Sequence, residues 1–226
     1  MKVLKGISIL ALAALIAVPA DAAQHSDGRR TLSLLVDQKA FVFEAPLGMC
    51  FLSGTNQQEA GLIEFFREQA EGRGGQVMLA AFASCDAVSG LPSGSNATGE
   101  DIRYNAGTIS WLNPLIGPET RMPRSDYLDM RESALVSYAD TSPLRAPGLV
   151  PNRESHRTEN GVSVAMLGDI EIEGIKKRGS SVLATTAVRG MPFEFTMQYS
   201  GAGAPTEEKI YALADKFMAQ QIALNE

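Results

Sequence analysis

The most polar stretch of the chain, residues 152–160, contains the residue types that acid–base chemistry requires. It includes Arg153, Glu154, His156 and Arg157. Histidine titrates near neutral pH and arginine pairs with carboxylate or phosphate groups, so this segment is a candidate polar site for a hydrolase or another enzyme. Exposed arginine-rich loops are also commonly only solvated, and the sequence leaves both interpretations open.

A second charged group, Lys176, Lys177 and Arg178, is predicted to lie at the tip of a β-hairpin. Three cations at one turn could contact an acidic partner or the anionic headgroups at a membrane surface, where each charge contributes about 1 kcal/mol. They are therefore a candidate contact for an anionic partner, including a peripheral membrane contact. Charges in a turn can equally be solvated.

Other motifs predict no catalytic site. Asp169, Glu171 and Glu173 alternate along a predicted strand and would repel one another unless solvated or neutralised by a cation. The glycines within residues 72–75 follow a predicted helix, whereas a phosphate-binding loop precedes one. No metal-site spacing of histidine or cysteine and no Gly-x-Ser-x-Gly motif occurs, so we expect neither a metal nor a cofactor. A glycosylation sequon begins at Asn96.

The N-terminus has the three-part layout of a secretory signal peptide. Lys2 and Lys5 precede an apolar run over residues 7–18, and a small-residue sequence then ends at Ala22. This run is shorter than the roughly 18–20 residues that span a bilayer. We therefore predict a cleaved signal at residues 1–22, no transmembrane span, and a periplasmic or secreted protein.

Cleavage there removes two lysines and one aspartate, so the formal charge changes from −6 to about −7. Such a charge disfavours a nucleic-acid partner, because binding a polyanion requires a concentrated basic surface. Residues 23–34 are predicted to be a flexible N-terminal segment. Residues 35–226 are enough for one buried core and are predicted to form a single domain.

Export also determines how the two cysteines, Cys50 and Cys85, are interpreted. In an oxidising compartment two cysteines favour a structural disulfide, which here would contribute about 3–4 kcal/mol by closing a long loop. A catalytic thiol would need a histidine in reach, and the chain contains only His25 and His156. The disulfide is therefore the prediction.

The segment between the cysteines predicts a strand, a crossover helix and a second strand. Thr55 and Gln58 have capping-box spacing at the helix start, and the apolar run 77–83 is typical of a buried strand. Ser125 begins another predicted helix, which ends near residue 138. Residues 86–101 are predicted to be an exposed loop. Further strands are predicted at 32–36, 40–43, 104–112, 162–172, 180–189 and 193–199.

The last of these strands has the clearest alternation in the chain. Glu194, Thr196 and Gln198 share the face opposite its apolar residues, which predicts a strand buried on one side. A final helix after Thr206 has an apolar stripe that includes Leu213 and should lie across the sheet. The predicted fold class is α+β, a single-domain α/β/α sandwich whose central, largely antiparallel sheet is flanked by helices.

A resemblance to known proteins is carried by element order and the cysteine pair. Pro46-Leu47-Gly48-Met49-Cys50, the following helix and the strand that ends at Ser84-Cys85-Asp86 resemble small secreted proteobacterial proteins without assigned activity. The order of elements also resembles the Mog1 and PsbP-like α/β/α sandwich. That resemblance implies a binding or assembly factor, and it assigns no functional residue.

These observations favour an exported, non-catalytic binding or envelope-accessory protein with an envelope protein as its partner. The alternatives are an enzyme with its site around His156 and a carrier of lipid or another small ligand. An enzyme requires a concave pocket where His156 meets a carboxylate or hydroxyl group. A lipid carrier requires an apolar cavity between sheet and helix.

Overall fold

The computed structural model describes residues 29–71, 76–90, 102–112, 122–142 and 145–226. The strands in these ranges are β1 (Thr31–Val36), β2 (Lys39–Glu44), β3 (Met49–Phe51), β4 (Gln76–Ser84), β5 (Ala106–Leu112), β6 (Leu149–Pro151), β7 (His156–Arg157), β8 (Val162–Ile172), β9 (Ile175–Val188) and β10 (Met191–Ser200). The helices are α1 (Gln57–Glu71), α2 (Cys85–Gly90), α3 (Arg124–Thr141) and α4 (Glu207–Asn225). A short 3-10 turn at Gly201–Gly203 joins β10 to the segment before α4.

Eight of these strands form one sheet, in the order β3-β4-β5-β10-β9-β8-β6, with β7 also paired to β8. β1 and β2 form a separate hairpin. Each of the strand pairings is antiparallel. The predicted α+β fold with a largely antiparallel sheet is thus confirmed.

Three of the hairpins turn on two residues. Asp37-Gln38, Glu173-Gly174 and Arg189-Gly190 all have positive φ angles, between 48° and 76°. Two central residues with positive φ define the type I′ turn, whose twist matches that of antiparallel strands. The strand predicted at 180–189 therefore starts too late, because β9 already begins at Ile175.

One face of the sheet packs against α4 and the β1–β2 hairpin. Phe193 of β10 lies edge-on to Phe41 and Phe43, with ring centroids 5.1 and 5.4 Å away. Phe195 makes the same type of contact with Phe217 of α4 at 5.1 Å. These rings are buried, and aromatic pairs in this geometry contribute beyond the apolar area they bury. They form the centre of the largest core.

The opposite face packs against α1 and α3. Phe66 of α1 is buried with Ala81 of β4, and Leu135 of α3 is buried with Leu183 of β9. The register through β5 and β10 puts Ala81 and Leu183 on the same side of the sheet, since directly paired residues share a face. With α4 on the other side, the architecture is an α/β/α sandwich.

Because both faces are covered, the prediction that β10 is buried on one side only is wrong. Glu194, Thr196 and Gln198 are 2%, 4% and 9% exposed. Gln76 donates a hydrogen bond of 3.1 Å to Glu194, and Thr108 and Thr196 share one of 2.7 Å. The polar residues of β10 are tolerated inside because neighbouring strands supply hydrogen-bond partners.

Part of the segment predicted to be flexible forms a strand. Residues 31–34, expected in the flexible segment, belong to β1, and the carbonyl of Arg30 accepts a hydrogen bond of 2.7 Å from Ala45. The hairpin supplies these residues with backbone partners that a tail would lack. The predicted signal peptide at 1–22, the rest of the segment predicted to be flexible up to residue 28, the glycines within 72–75 and the sequon at Asn96 lie outside the described residues.

Helix α1 begins on a different pair of residues from the predicted one. Asn56 accepts a hydrogen bond of 2.8 Å from the Glu59 amide and donates one of 3.0 Å to the Glu59 carboxylate. The first bond is the N-cap half of a capping box, one residue C-terminal to the predicted pair Thr55 and Gln58, whereas the second joins the two side chains. The Glu59 carboxylate is fully buried, and it also accepts hydrogen bonds from Arg29 at 2.7 Å and from the Ser53 amide at 2.8 Å.

Cys50 and Cys85 are joined by a disulfide, as predicted. The segment between them is not a crossover unit, however, because β3 and β4 are antiparallel neighbours. Cys50 pairs with Ala83, so the start of β3 meets the end of β4. The predicted loop after Cys85 is also partly wrong, since α2 occupies its first residues.

Two side chains of α4 bind the outer edge of β2. Asn225 accepts a hydrogen bond of 2.8 Å from the Val42 amide and donates one of 2.8 Å to the Val42 carbonyl. Gln221 likewise accepts a hydrogen bond from the Glu44 amide and donates one to the Glu44 carbonyl, both of 3.0 Å. The amides of a helix thus occupy hydrogen-bonding positions that a neighbouring strand would fill.

Candidate functional site: a basic groove beside the last helix

A cavity of about 830 Å³ lies between α4, the preceding segment and the ends of β9 and β10. We call it the basic groove. Its charged lining residues are Arg178 of β9 and Lys209 and Lys216 of α4. Its other lining residues are Tyr199, Ala202, Gly203, Ala204, Pro205, Thr206, Ala212 and Leu213.

Helical spacing brings the α4 residues of this groove together. Lys209, Leu213 and Lys216 are separated by four and three residues, so they lie on one side of the helix. Leu213 is 38% exposed, and the prediction that it belongs to the buried stripe is wrong, since the helix turns its stripe toward the sheet at Ala214 and Phe217. The groove therefore has an apolar residue between two cations.

The charge of the groove is opposite to that of the whole chain. Three cations and no carboxylate line it, although the formal net charge of the protein is −6. Lys209 lies in the first turn of α4, where the helix macrodipole disfavours a positive charge. Asp169 is the cross-strand partner of Arg178, but no ion pair joins them. An anion in the groove would compensate these charges.

Tyr199 and Gly203 line both the groove and a second cavity, of about 360 Å³. Burial raises the pKa of the Tyr199 hydroxyl to about 12. Its hydroxyl therefore remains protonated and neutral at physiological pH, and it lies 3.9 Å from the Met197 sulfur. Tyr199 thus offers a mainly apolar surface to both cavities.

The second cavity, which we call the disulfide-side cavity, is lined by residues that flank Cys50 and Cys85. Its apolar lining includes Leu47, Met49, Ala87 and Ile102. Of these residues, Leu47 is 84% exposed. Asn105 and Ser200 contribute polar atoms to the same cavity.

The residues predicted to form a polar site at 152–160 contact different helices. Arg157 forms ion pairs with Asp129 at 2.5 Å and Glu132 at 2.9 Å, both on α3. Arg153 and Glu154 are exposed, and neither makes a hydrogen bond or ion pair with another described residue. The candidate residues are therefore not gathered around one ligand-sized space.

His156 packs on a tyrosine of α4. Its ring lies 4.7 Å from that of Tyr211, at an interplanar angle of 27°. The Tyr211 hydroxyl accepts hydrogen bonds from Asn152 at 3.0 Å and from the Ala165 amide at 3.2 Å. His156 lines neither of the two cavities above, and an acid–base role for it stays a prediction.

Residues 152–160 also form hydrogen bonds to acidic side chains of α4. Asn152 donates a hydrogen bond of 2.7 Å to Glu207, and Asn160 donates one of 3.0 Å to Asp215. Thr158 donates a further hydrogen bond to Asp215. Together with the Arg157 ion pairs, these contacts link helices that lie on opposite faces of the sheet.

Replacing His156 by alanine is expected to lower the free energy of unfolding by about 1 kcal/mol, because the stacking on Tyr211 is lost. Urea unfolding monitored by circular dichroism would measure the change. Glu154→Ala is the matched control, and its effect should be within about 0.5 kcal/mol of zero. Equal stabilities of the two variants would contradict a packing role for His156.

Lys176, Lys177 and Arg178 lie within β9 and not at a hairpin tip. Arg178 and Lys176 are paired with Asp169 and Glu171 across the strands. Two of the three carboxylates predicted to repel one another are therefore opposite a cation, and the third, Glu173, lies in the turn between β8 and β9. Of the three basic residues, Arg178 lines the basic groove.

Sequence reasoning missed Tyr199, Lys209 and Lys216 as site residues. Their signal was present only in part, as two lysines seven residues apart on a helix with a leucine between them.

None of the helices in the described ranges is long and apolar enough to cross a membrane. Those ranges also contain no group of three or more His, Cys, Asp or Glu side chains placed to hold a metal ion.

No protein-family model and no curated protein matches the chain. Among solved structures, the chain is similar to the crystal structure of LpqN, which is involved in cell envelope biogenesis of Mycobacterium tuberculosis. The sequence identity is 11%, the match covers 66% of this chain and 75% of LpqN, and the TM-score is 0.27. A likeness this low carries no argument about function, and the Mog1 and PsbP-like resemblance stays a prediction.

Proposed function

We propose that this protein is an exported binding protein of the cell envelope, which holds its ligand in the basic groove and catalyses no reaction. The groove is the observation that carries the proposal. A concave space of several hundred Å³ with apolar walls and a few convergent polar groups is typical of a ligand site. This one combines that shape with three cations on an acidic protein.

Export is supported by two independent features. The N-terminal sequence has the layout of a signal peptide. The disulfide between Cys50 and Cys85 is compatible with a periplasmic or extracellular location, because structural disulfides persist in oxidising compartments. An envelope-accessory role follows from this location together with a binding site.

Site-specific photocrosslinking in cells that produce the protein would test the proposal. With p-benzoylphenylalanine at Leu213, we expect a crosslinked adduct that mass spectrometry of the purified protein identifies. Leu213 lies in the groove and is 38% exposed, so the probe should be tolerated there.

The matched control carries the same probe at Met130, which is 48% exposed on α3. An adduct formed at Leu213 and not at Met130 would support binding in the groove. Absence of an adduct at Leu213, or the same adduct at both positions, would contradict it.

A further inference from the structure

We propose that the ligand of the basic groove is a single-chain anionic amphiphile, with its carboxylate or phosphate head at Arg178, Lys209 and Lys216 and its acyl chain directed past Tyr199 into the disulfide-side cavity. This inference rests on the function proposed above and adds the chemical class of the ligand. Its basis is that the two cavities share Tyr199 and Gly203 while differing in charge.

The cations account for the head of the ligand. Lysine and arginine are the usual partners of carboxylate and phosphate oxygens, with charge-assisted hydrogen bonds shorter and stronger than neutral ones. Arg178 approaches from the sheet, whereas Lys209 and Lys216 approach from α4. An anion bound among them would therefore have cationic partners on two walls.

The apolar lining accounts for the chain. Pro205 and Leu213 line the groove together with the cations. Tyr199 also lines the disulfide-side cavity, to which Leu47 and Met49 contribute apolar surface. Burial of one methylene group changes affinity about fourfold. A chain long enough to reach the second cavity should therefore bind much more tightly than a short one.

The head-and-tail arrangement distinguishes this ligand from other anionic partners. A free inorganic anion would use the three cations and gain nothing from the second cavity. A bilayer surface would meet the exposed cations without placing a chain in a cavity. An amphiphile alone predicts that affinity depends on both the charge and the chain length.

Isothermal titration calorimetry with the disulfide-bonded protein would test both dependences below the micelle concentrations. Across octanoate, decanoate and dodecanoate, we expect the dissociation constant to fall about fourfold per methylene group. Acetate and inorganic phosphate should bind at least 100-fold more weakly than dodecanoate. Dodecanol, which lacks the charge, should bind at least tenfold more weakly. Comparison of dodecyl phosphate with dodecanoate would identify the preferred head.

Two variants locate the head and the chain. Lys209→Gln/Lys216→Gln should weaken dodecanoate binding at least tenfold, while the control Lys39→Gln/Arg67→Gln, outside both cavities, should change it less than twofold. Leu47→Asp should reduce dodecanoate affinity to that of octanoate. Leu47 is 84% exposed, so this change should leave the fold intact.

Several results would overturn the inference. Affinity that does not depend on chain length would indicate a site for anions alone, and equal binding of dodecanol would indicate a purely apolar site. Binding only to vesicles of phosphatidylglycerol would indicate a surface contact. If no amphiphile binds but Leu213 still gives a specific crosslink to a protein, the inference fails while the proposed binding function stands.

Discussion

Replacing Glu59 by glutamine is expected to lower the free energy of unfolding by about 3 kcal/mol at neutral pH, the cost of removing one partner from a buried, hydrogen-bonded charge pair. The Glu59 carboxylate is fully buried at the start of α1. It accepts hydrogen bonds from Arg29, from the amide and hydroxyl of Ser53, from the Gly54 amide at 3.2 Å and from Asn56. A neutral amide cannot satisfy all of these donors.

The effect of this substitution should depend on pH. Burial alone raises the pKa of the Glu59 carboxyl, but hydrogen bonds from Ser53 and Arg29 and the Arg29 charge outweigh it and hold the pKa below the ordinary 4.5. A carboxyl group whose pKa is lower in the folded state stabilises the protein fully above the unfolded-state pKa. That contribution is lost as the pH falls through the folded-state pKa.

Urea unfolding of the wild type and Glu59→Gln at pH 7 and at steps below pH 4.5 would measure both effects. The stability difference should be largest at pH 7 and shrink at the lowest pH values. Glu68→Gln, an exposed position on the same helix, is the control and should change stability by less than about 0.5 kcal/mol. A difference below about 1 kcal/mol at pH 7, or one that is constant with pH, would contradict the role of Glu59.

Loss of the Cys50–Cys85 disulfide is expected to lower the free energy of unfolding by about 4 kcal/mol. The bond closes a loop with a sequence separation of 35 residues, and the chain-entropy estimate for such a loop gives this magnitude. β3 is the terminal strand of the sheet and pairs with β4 through only three residues. The bond therefore also holds a strand that has few backbone partners.

Urea unfolding with and without dithiothreitol would measure the loss, and amide hydrogen exchange would locate it. We expect exchange to increase first in β3 and α2, which the bond joins. Cys50→Ala/Cys85→Ala should match the reduced wild type and be insensitive to dithiothreitol. Equal unfolding midpoints of the oxidised and reduced wild type would rule out the stabilising role.

Periodicity in the sequence was sufficient to predict the longer elements and the fold class. Apolar residues recur with a period of two in the strands that contain Val162 and Phe193, and with a period of 3.6 in the helix that contains Phe217. Each of these elements has at least one face in a core. β6 and β7 were missed, since two or three residues are too few to establish a period.

The environment of β10 could not be predicted from its own residues. Alternation indicates which residues share a face, but it does not say whether another layer covers that face. Glu194 and Thr196 can be buried because residues distant in sequence pair with them: Gln76 and Arg131 of α3 with Glu194, and Thr108 with Thr196.

The direction of β3 relative to β4 was available from the sequence but was missed. A disulfide between the start of one strand and the end of the next brings those two ends together. That geometry requires antiparallel neighbours, which is what the pairing of Cys50 with Ala83 shows. The predicted disulfide and the predicted crossover were incompatible.

The basic groove could be predicted only in part. The spacing of Lys209, Leu213 and Lys216 puts them on one side of a helix. The approach of Arg178 and Tyr199 depends on how α4 crosses the sheet, and no local pattern determines that crossing. Residues from one element were thus accessible to sequence reasoning, and the assembled site was not.

The amide pairs of Asn225 and Gln221 with β2 also protect the protein from self-association. An uncovered strand edge is a template on which a second chain can add a strand, and growth of this kind leads to fibrils. Here the last turns of α4 occupy the Val42 and Glu44 backbone groups that such growth would require. The C-terminal helix is therefore a built-in barrier to aggregation.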